Sequence, residues 1–249
     1  MNAMIFAAGL GTRLKPLTDT MPKAMVPVCG KPLIQILLER LIDSGCKEAV
    51  VNVHHFADQI IDFVKENDSF GIDVKFSDER DMLLETGGGL KKALPLFSGD
   101  NPVIVHNVDI LSNVNLSSLY ADSLSVIGHD ESVGAVMLVS ERKTQRYLLF
   151  DDDNTLVGWT NIQTGQVKSP YESLDVNKYH KYAFAGIQVC NQKVLLPMME
   201  EWEGKFSIID FYLSICDKVK IKCYPKSDLR LLDVGKLDTI TLAEKFVKE

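Results

Sequence analysis

An apolar run that ends in two glycines opens the chain: residues 4–13 read MIFAAGLGTR. The apolar residues 4–8 predict a buried β-strand, and the glycines predict a tight turn directly after it. Glycine lets backbone N–H groups approach a ligand closely, and successive N–H groups in such a turn bind anions. Arg13 and Lys23 add positive charge nearby. The pattern therefore predicts a polyphosphate site at the end of the first strand.

The composition is that of a globular chain with excess negative charge. Of 249 residues, 46% are hydrophobic and 24% are charged, and the formal net charge is −7. This charge argues against nucleic acid or an anionic membrane as the main partner, and no segment has the roughly 18 apolar residues that a membrane helix needs. The five cysteines are odd in number and form no CxxC pair, which predicts reduced, mostly buried thiols in a cytoplasmic protein.

Strand and helix patterns alternate through the first half of the chain. Strands are predicted at residues 4–8, 48–53, 74–77 and 103–106, and helices at 32–44, 57–67 and 88–97. This alternation is typical of right-handed βαβ units, so it predicts an α/β fold with a mixed, mostly parallel central sheet and helices on both faces.

The second half has a different pattern, richer in strands. Strands are predicted at 133–139, 147–151, 155–159, 182–189, 220–224 and 229–234, and helices at 193–201, 207–217 and 236–248. Because no linker, repeat or low-complexity stretch separates the halves, we expect a single domain over residues 1–249. The two halves divide near residue 110, into residues 1–110 and 111–249.

Polar residues follow several predicted strands, where ligands bind in open parallel sheets. Besides the first loop they are ETGGG at residues 85–89, Asn107 with Asp109, and Asp233. Each glycine costs about 1 kcal/mol inside a helix, so the triple glycine at the start of the predicted helix indicates a close approach of the backbone to a base and ribose. A flexible turn is the alternative. Asp109 and Asp233 are candidate Mg²⁺ ligands, because Mg²⁺ takes one or two carboxylates plus phosphate oxygens; their alternative role is to cap the following turn.

Two familiar phosphate motifs do not fit the first loop. A dinucleotide site would place a third glycine where Leu14 stands and an acid after the second strand, where the chain has His54 and His55. A Walker A loop would need Gly-Lys-Ser/Thr, which is absent from the sequence. An ordinary tight turn without a ligand remains the alternative for the glycines alone.

A longer pattern resembles a known family. The chain is similar to the sugar-1-phosphate nucleotidyltransferases in AAGLGTRLKPLT (7–18), PK (22–23), VPV (26–28) and GKPLI (30–34). The stretch LETGGGLKKALP (84–95) resembles the branch of small enzymes that includes the N-acetylmuramate-1-phosphate uridylyltransferases. Later landmarks that match are Asn107, Asp109, FAGI (184–187) and DVG (233–235). The resemblance covers essentially the whole chain. It implies a nucleotide-binding half at residues 1–110 and a sugar-binding half at residues 111–249.

The resemblance implies a Rossmann-like GT-A type fold and an Mg²⁺-dependent reaction of a nucleoside triphosphate with a sugar 1-phosphate. A phosphate oxygen attacks the α-phosphorus and pyrophosphate leaves in line, so catalysis is mostly positioning and charge neutralisation. Implied catalytic residues are Arg13 and Lys23, implied metal ligands are Asp109 and Asp233, and implied sugar contacts are Asn107 and Gly186. Implied nucleotide contacts are Ala7, Ala8, Gly9, Gly11, Thr12, Arg13, Lys23, Glu85, Thr86, Gly87 and Gly88.

Two departures from the family pattern leave the substrate open. Val108 stands where the family commonly has glycine, and residues 141–149 lack the glycine usual in the sugar-recognition stretch. UTP with N-acetylmuramate 1-phosphate is the first expectation, and a GTP-dependent mannose- or heptose-1-phosphate guanylyltransferase is the alternative. A catalytically inactive nucleotide-sugar-binding regulator is the hypothesis from another class. We expect a monomer or small homo-oligomer.

Overall fold

Strands and helices alternate along residues 1–248, the part of the chain that this computed structural model describes. The strands are β1 Asn2–Phe6, β2 Pro27–Val28, β3 Lys31–Pro32, β4 Glu48–Val53, β5 Asp73–Asp78, β6 Val103–Asn107, β7 Ile110–Ser112, β8 Val133–Ser140, β9 Arg146–Phe150, β10 Leu156–Asn161, β11 Gln166–Lys168, β12 His180–Cys190, β13 Lys220–Pro225 and β14 Leu231–Asp233. The helices are α1 Leu33–Asp43, α2 Ala57–Glu66, α3 Glu85–Ala93, α4 Leu116–His129, α5 Gln192–Met198, α6 Ile208–Ile215 and α7 Leu237–Lys248.

One large mixed sheet organises the fold. Its strand order is β11-β10-β9-β12-β6-β1-β4-β5, and β8 joins β12 to β13. The neighbours β6, β1, β4 and β5 run parallel, and β12 lies antiparallel to β6. Phe6 on β1 lies opposite Asn52 on β4 and Asn107 on β6. The carboxyl ends of these three strands therefore stand level, and the loops that follow them meet at one edge.

Apolar side chains on both faces of the sheet build two cores. Along β1, the fully buried Ala3 and Ile5 face one core and the fully buried Met4 faces the other, as expected because successive side chains point to opposite faces. Helices α1, α2, α4 and α7 pack on the first face, and α3, α5 and α6 on the second. The predicted fold class, an α/β protein with a mixed central sheet and helices on both faces, is confirmed.

Every predicted helix and strand is present within a few residues, but the sequence reading missed α4, β7 and the three two- or three-residue strands β2, β3 and β11. The predicted strand at 229–234 is shorter than expected. It forms β14, which pairs antiparallel with β7 in a separate two-stranded ribbon. The expectation that Asp233 ends a strand of the central sheet was therefore wrong. All five cysteines are free thiols and four are buried, as predicted.

Helix α3 begins at Glu85, three residues before the predicted start at Gly88, and contains all three glycines, so the alternative of a flexible turn there was wrong. Close packing explains their presence. A Cβ atom at Gly87 would collide with the ring of Phe206, one at Gly88 with the carbonyl oxygen of Gly204, and one at Gly89 would lie 2.8 Å from Glu79 Oε1. The glycines let this helix lie directly against the backbone that precedes α6.

We predict that Gly88→Ala destabilises the protein, although helix propensity alone favours alanine by about 1 kcal/mol. The new methyl group must displace the Gly204 carbonyl, and such overpacking costs about 1–3 kcal/mol. Urea unfolding measures the difference.

The matched control is Gly128→Ala in α4. Gly128 is also helical, and nothing lies within 4 Å of an added Cβ atom there. We expect this variant to be more stable by about 0.4–1 kcal/mol. Equal shifts at the two positions would contradict the packing explanation.

Candidate functional site

The loop after β1 is held in shape by a left-handed glycine. Gly11 has φ +63°, and a Cβ atom there would lie 2.8 Å from Thr18 Cγ2. Its carbonyl oxygen accepts hydrogen bonds from Leu14 N at 2.8 Å and Thr18 Oγ1 at 2.9 Å. By contrast, a Cβ atom at Gly9 would meet open space. Gly11 therefore builds the turn, and Gly9 leaves its backbone uncovered.

A buried amide–carboxylate pair fastens this loop to its neighbours. Asn52 Oδ1 accepts from the backbone N–H groups of Ala7 at 2.7 Å and Ala8 at 3.2 Å. Asn52 Nδ2 donates to Glu79 Oε1 at 2.7 Å, and Glu79 Oε2 accepts from Leu84 N at 3.0 Å. Sequence reasoning missed both residues. The signal was a buried polar Asn52 one residue before the end of a strand whose other residues, apart from the first, are apolar.

The N–H groups that follow this anchor have no acceptor within the described residues. Because Ala7 and Ala8 already donate to Asn52, their N–H groups are occupied within the protein. Within residues 1–248, no protein group accepts from the N–H groups of Gly9, Leu10 or Gly11. Successive unsatisfied N–H groups of this kind form an anion-binding surface.

The start of α3 is tied to the start of α6. Ile208 N donates to Thr86 Oγ1 at 3.0 Å, and Gly87 N donates to the Phe206 carbonyl at 2.9 Å. Glu85, with φ +59°, pairs with Lys205 Nζ at 3.2 Å. Glu85 and Thr86 line the large cavity described below, whereas Gly87 and Gly88 are buried in this helix contact.

Two aspartates from distant parts of the chain meet around one lysine. Asp109 follows β6, and its backbone carbonyl accepts from Val234 N at 2.8 Å. The β7–β14 ribbon places Asp233 opposite Ile110. Lys23 Nζ forms a hydrogen-bonded ion pair with Asp109 Oδ2 and lies 3.9 Å from Asp233 Oδ1. The ribbon therefore creates a carboxylate pair that shares one cation.

The electrostatics of this pair favour a further positive charge. Burial, together with the negative charge of Asp109, raises the pKa of Asp233 above its ordinary value, while Lys23 and Arg13 oppose that rise. Gly235 makes room for the arrangement, since a Cβ atom there would lie 2.7 Å from Asp233 Oδ1 and 2.9 Å from Arg13 Nη2. Two hard oxygen ligands under like-charge repulsion fit a divalent cation such as Mg²⁺. No group of three or more His, Cys, Asp or Glu side chains that could hold a metal occurs among the described residues.

The two predicted sugar contacts lie against each other. Gly186 has φ +76°, and a Cβ atom there would lie 3.0 Å from Asn107 Nδ2. The register between β12 and β8 shifts between Phe184 and Gln188, so Gly186 sits in an irregular part of the strand. A side chain at this position would push Asn107 out of place.

A cavity of about 520 Å³ joins these elements. Its volume lies in the range of small-molecule sites, about 300–1,000 Å³. Predicted site residues in its lining are Ala7, Ala8, Gly9, Gly11, Thr12, Arg13, Lys23, Glu85, Thr86, Asn107 and Asp109. It also contacts Asn52, Val108 and Ser207, which had not been predicted as ligand contacts. Gly87, Gly88, Gly186 and Asp233 lie outside its lining.

Comparison with known proteins gives this geometry a context. An N-acetylmuramate alpha-1-phosphate uridylyltransferase from Caulobacter vibrioides is 32% identical over 216 residues, covering 84% of this chain and 82% of that protein. A D-glycero-alpha-D-manno-heptose 1-phosphate guanylyltransferase from Campylobacter jejuni is 35% identical over 119 residues, covering 48% of this chain and 52% of that protein. Both are sugar-1-phosphate nucleotidyltransferases by name.

The fold also matches solved structures over nearly its full length. The crystal structure of HddC from Yersinia pseudotuberculosis, complexed with GMP-PN, superimposes with a TM-score of 0.71 at 23% identity and covers 98% of each chain. The sequence profile of the nucleotidyl transferase family matches residues 2–249. The family and enzyme class expected from the sequence motifs are thereby confirmed: this chain belongs to the nucleotidyl transferase family.

Proposed function

We propose that this enzyme transfers a nucleotidyl group from a nucleoside triphosphate to a sugar 1-phosphate and releases pyrophosphate. The observation that carries the proposal is the convergence of Lys23, Asp109 and Asp233 beside the uncovered N–H groups of the first loop. Both reactants are anions, so a site for their reaction must combine cations with fixed N–H donors. Family membership supports the same chemistry.

We assign each part of the nucleotide to the residues on one side of the cavity. The N–H groups of residues 9–12 and the Arg13 side chain hold the triphosphate and stabilise departing pyrophosphate. Lys23 neutralises charge near the attacked α-phosphorus. Glu85 and Thr86 contact base and ribose, and Gly87 and Gly88 let α3 approach the α6 segment closely. The anchored Ala7 and Ala8 position the loop.

The sugar phosphate binds next to Asn107 and Gly186. Asn107 lines the cavity and Gly186 supports its amide from behind. When bound between Asp109 and Asp233, Mg²⁺ would supply charge neutralisation for the phosphate groups. Asp109 and Asp233 would hold the ion, and the ion pair with Lys23 positions the Asp109 carboxylate.

UTP and N-acetylmuramate 1-phosphate are the substrates we expect first. Similarity to the Caulobacter vibrioides uridylyltransferase over 84% of this chain supports that choice. A GTP-dependent mannose- or heptose-1-phosphate guanylyltransferase is the second candidate, supported by the similarity to the Campylobacter jejuni enzyme.

We place the reaction in the cytoplasm, a compartment that keeps thiols such as the five free cysteines reduced. Within residues 1–248, no helix has the length and apolar character to cross a membrane.

A substrate panel tests the proposal directly. Four nucleoside triphosphates are combined with the 1-phosphates of N-acetylmuramate, N-acetylglucosamine, mannose and a heptose, and pyrophosphate release is measured. We expect turnover with at least one pair, and UTP to exceed GTP. Tight nucleotide binding without turnover for any pair would instead support the regulatory hypothesis.

Asp109→Asn tests the carboxylate pair. The amide keeps the size of the side chain but loses the charge, so we expect kcat to fall by about 100-fold or more. The magnesium concentration for half-maximal rate should also rise. The circular dichroism spectrum of the variant, compared with that of the wild type, shows whether the fold is intact.

The control is Asp100→Asn, which removes an exposed carboxylate that pairs with Lys193 at 3.0 Å. Exposed ion pairs contribute about 0–1 kcal/mol to stability, and this pair lies outside the cavity lining. We expect unchanged kinetics. Wild-type activity of Asp109→Asn would exclude the assigned role of Asp109.

A further inference from the structure

A second cavity of about 370 Å³ lies beside the first and has a different chemical character. Ser207, the N-cap residue of α6, lines both cavities. The walls of the second cavity include Arg142, Arg146, Trp159, Lys168, Phe184 and Asp210. A substrate that occupies the first cavity can therefore extend past Ser207 into this one.

The strand register explains why these side chains converge. Trp159 on β10 lies opposite Leu148 on β9 and Lys168 on β11. Arg146 precedes Leu148 by two residues, so it lies on the same face of the sheet. Helix α6 packs over β10. The cavity is thus the space between this face of the sheet and the first turns of α6.

Positive charge dominates the cavity. Lys168 Nζ pairs with Asp210 Oδ1 at 2.8 Å and lies 5.5 Å from the centre of the Trp159 ring. Arg142 Nη2 donates to the Phe184 carbonyl at 3.2 Å. Within the described residues, neither Arg142 nor Arg146 has a carboxylate partner. Both side chains are exposed at the cavity surface. In a chain of net charge −7, two arginines without a carboxylate partner in one cavity fit an anionic ligand.

The anomeric phosphate does not account for these cations. That phosphate reacts in the first cavity, where Arg13 and Lys23 supply positive charge. The planar guanidinium group of arginine binds carboxylates through paired hydrogen bonds. Trp159 and Phe184 offer apolar surfaces on which a sugar ring can pack. The cavity thus combines the surfaces that a sugar ring and an attached carboxylate require.

We propose that the sugar 1-phosphate substrate carries a second anionic group, a carboxylate, which Arg142 and Arg146 bind. This inference rests on the proposed function and narrows its substrate to acidic sugars. It also gives residues 141–149, the stretch that departs from the family pattern, a role in selecting the sugar.

Matched pairs of acceptors test the inference, each with all four nucleoside triphosphates. Galacturonate 1-phosphate is compared with galactose 1-phosphate, and N-acetylmuramate 1-phosphate with N-acetylglucosamine 1-phosphate. In each pair only one member carries a carboxylate. We expect the preferred acidic member to exceed its neutral partner in kcat/KM by about tenfold or more.

The variant Arg146→Gln and the double variant Arg142→Gln/Arg146→Gln locate the effect. We expect kcat/KM for the acidic sugar to fall by about 10- to 100-fold, with the neutral partner changing less than about twofold. Arg146→Lys should restore part of the loss. The control Lys143→Gln removes a positive charge from the same segment outside the cavity lining and should leave the preference unchanged.

The outcomes separate this inference from the proposed function. Turnover of neutral sugars alone, or equal preference within both pairs, overturns the inference and leaves the nucleotidyl transfer standing. Equal losses for acidic and neutral sugars in the arginine variants also overturn it, because those cations then bind a group that both sugars share. No turnover with any acceptor overturns the proposed function itself. Thermal unfolding of each variant shows that the fold is retained.

Discussion

The amide of Asn52 is the interaction on which the site depends. Its oxygen accepts from the backbone of Ala7 and Ala8, and its nitrogen donates to Glu79, which in turn accepts from the backbone at Leu84. Asn52 and Glu79 are 3% and 1% exposed, so each unmet hydrogen bond would cost about 1–3 kcal/mol. One buried pair therefore sets the distance between the loop after β1 and the start of α3.

The same arrangement explains the glycines in α3. Gly89 lies where a methyl group would press on Glu79 and Asn52, and Gly88 lies where one would press on the Gly204 carbonyl. The three glycines lower the helix propensity of α3, but they let it pack closely against the segment before α6. This packing keeps the buried network intact and places Ser207 at the boundary of the two cavities. Local instability in one helix is offset by contacts that position three separate segments.

Much of the fold was predictable because its strands and helices carry clear apolar periodicity, and the family motifs identified the cavity lining. The failures have physical causes. Helix α4 buries Ser123 among its apolar positions, which weakens the pattern. The reading of residues 85–89 took into account that each glycine costs about 1 kcal/mol of helix stability. It could not include the packing against Phe206, because that contact is formed only in the folded chain. Asp233 was assigned to the central sheet because its partner strand, β7, has only three residues and gives no signal of its own. Asn52 and Glu79 act through long-range hydrogen bonds that one sequence does not display.

The β7–β14 ribbon has a consequence for the synthesis of the protein. Asp109 and Asp233 are 124 positions apart in the chain, yet the ribbon and the Val234–Asp109 backbone bond bring them to the same lysine. While the chain is still emerging from the ribosome, β1, β4 and β6 are all available to pair before Asp233 has been made. A nascent chain can therefore contain most of the residues that line the first cavity while it still lacks the second carboxylate. The carboxylate pair can therefore form only after most of the chain has been made.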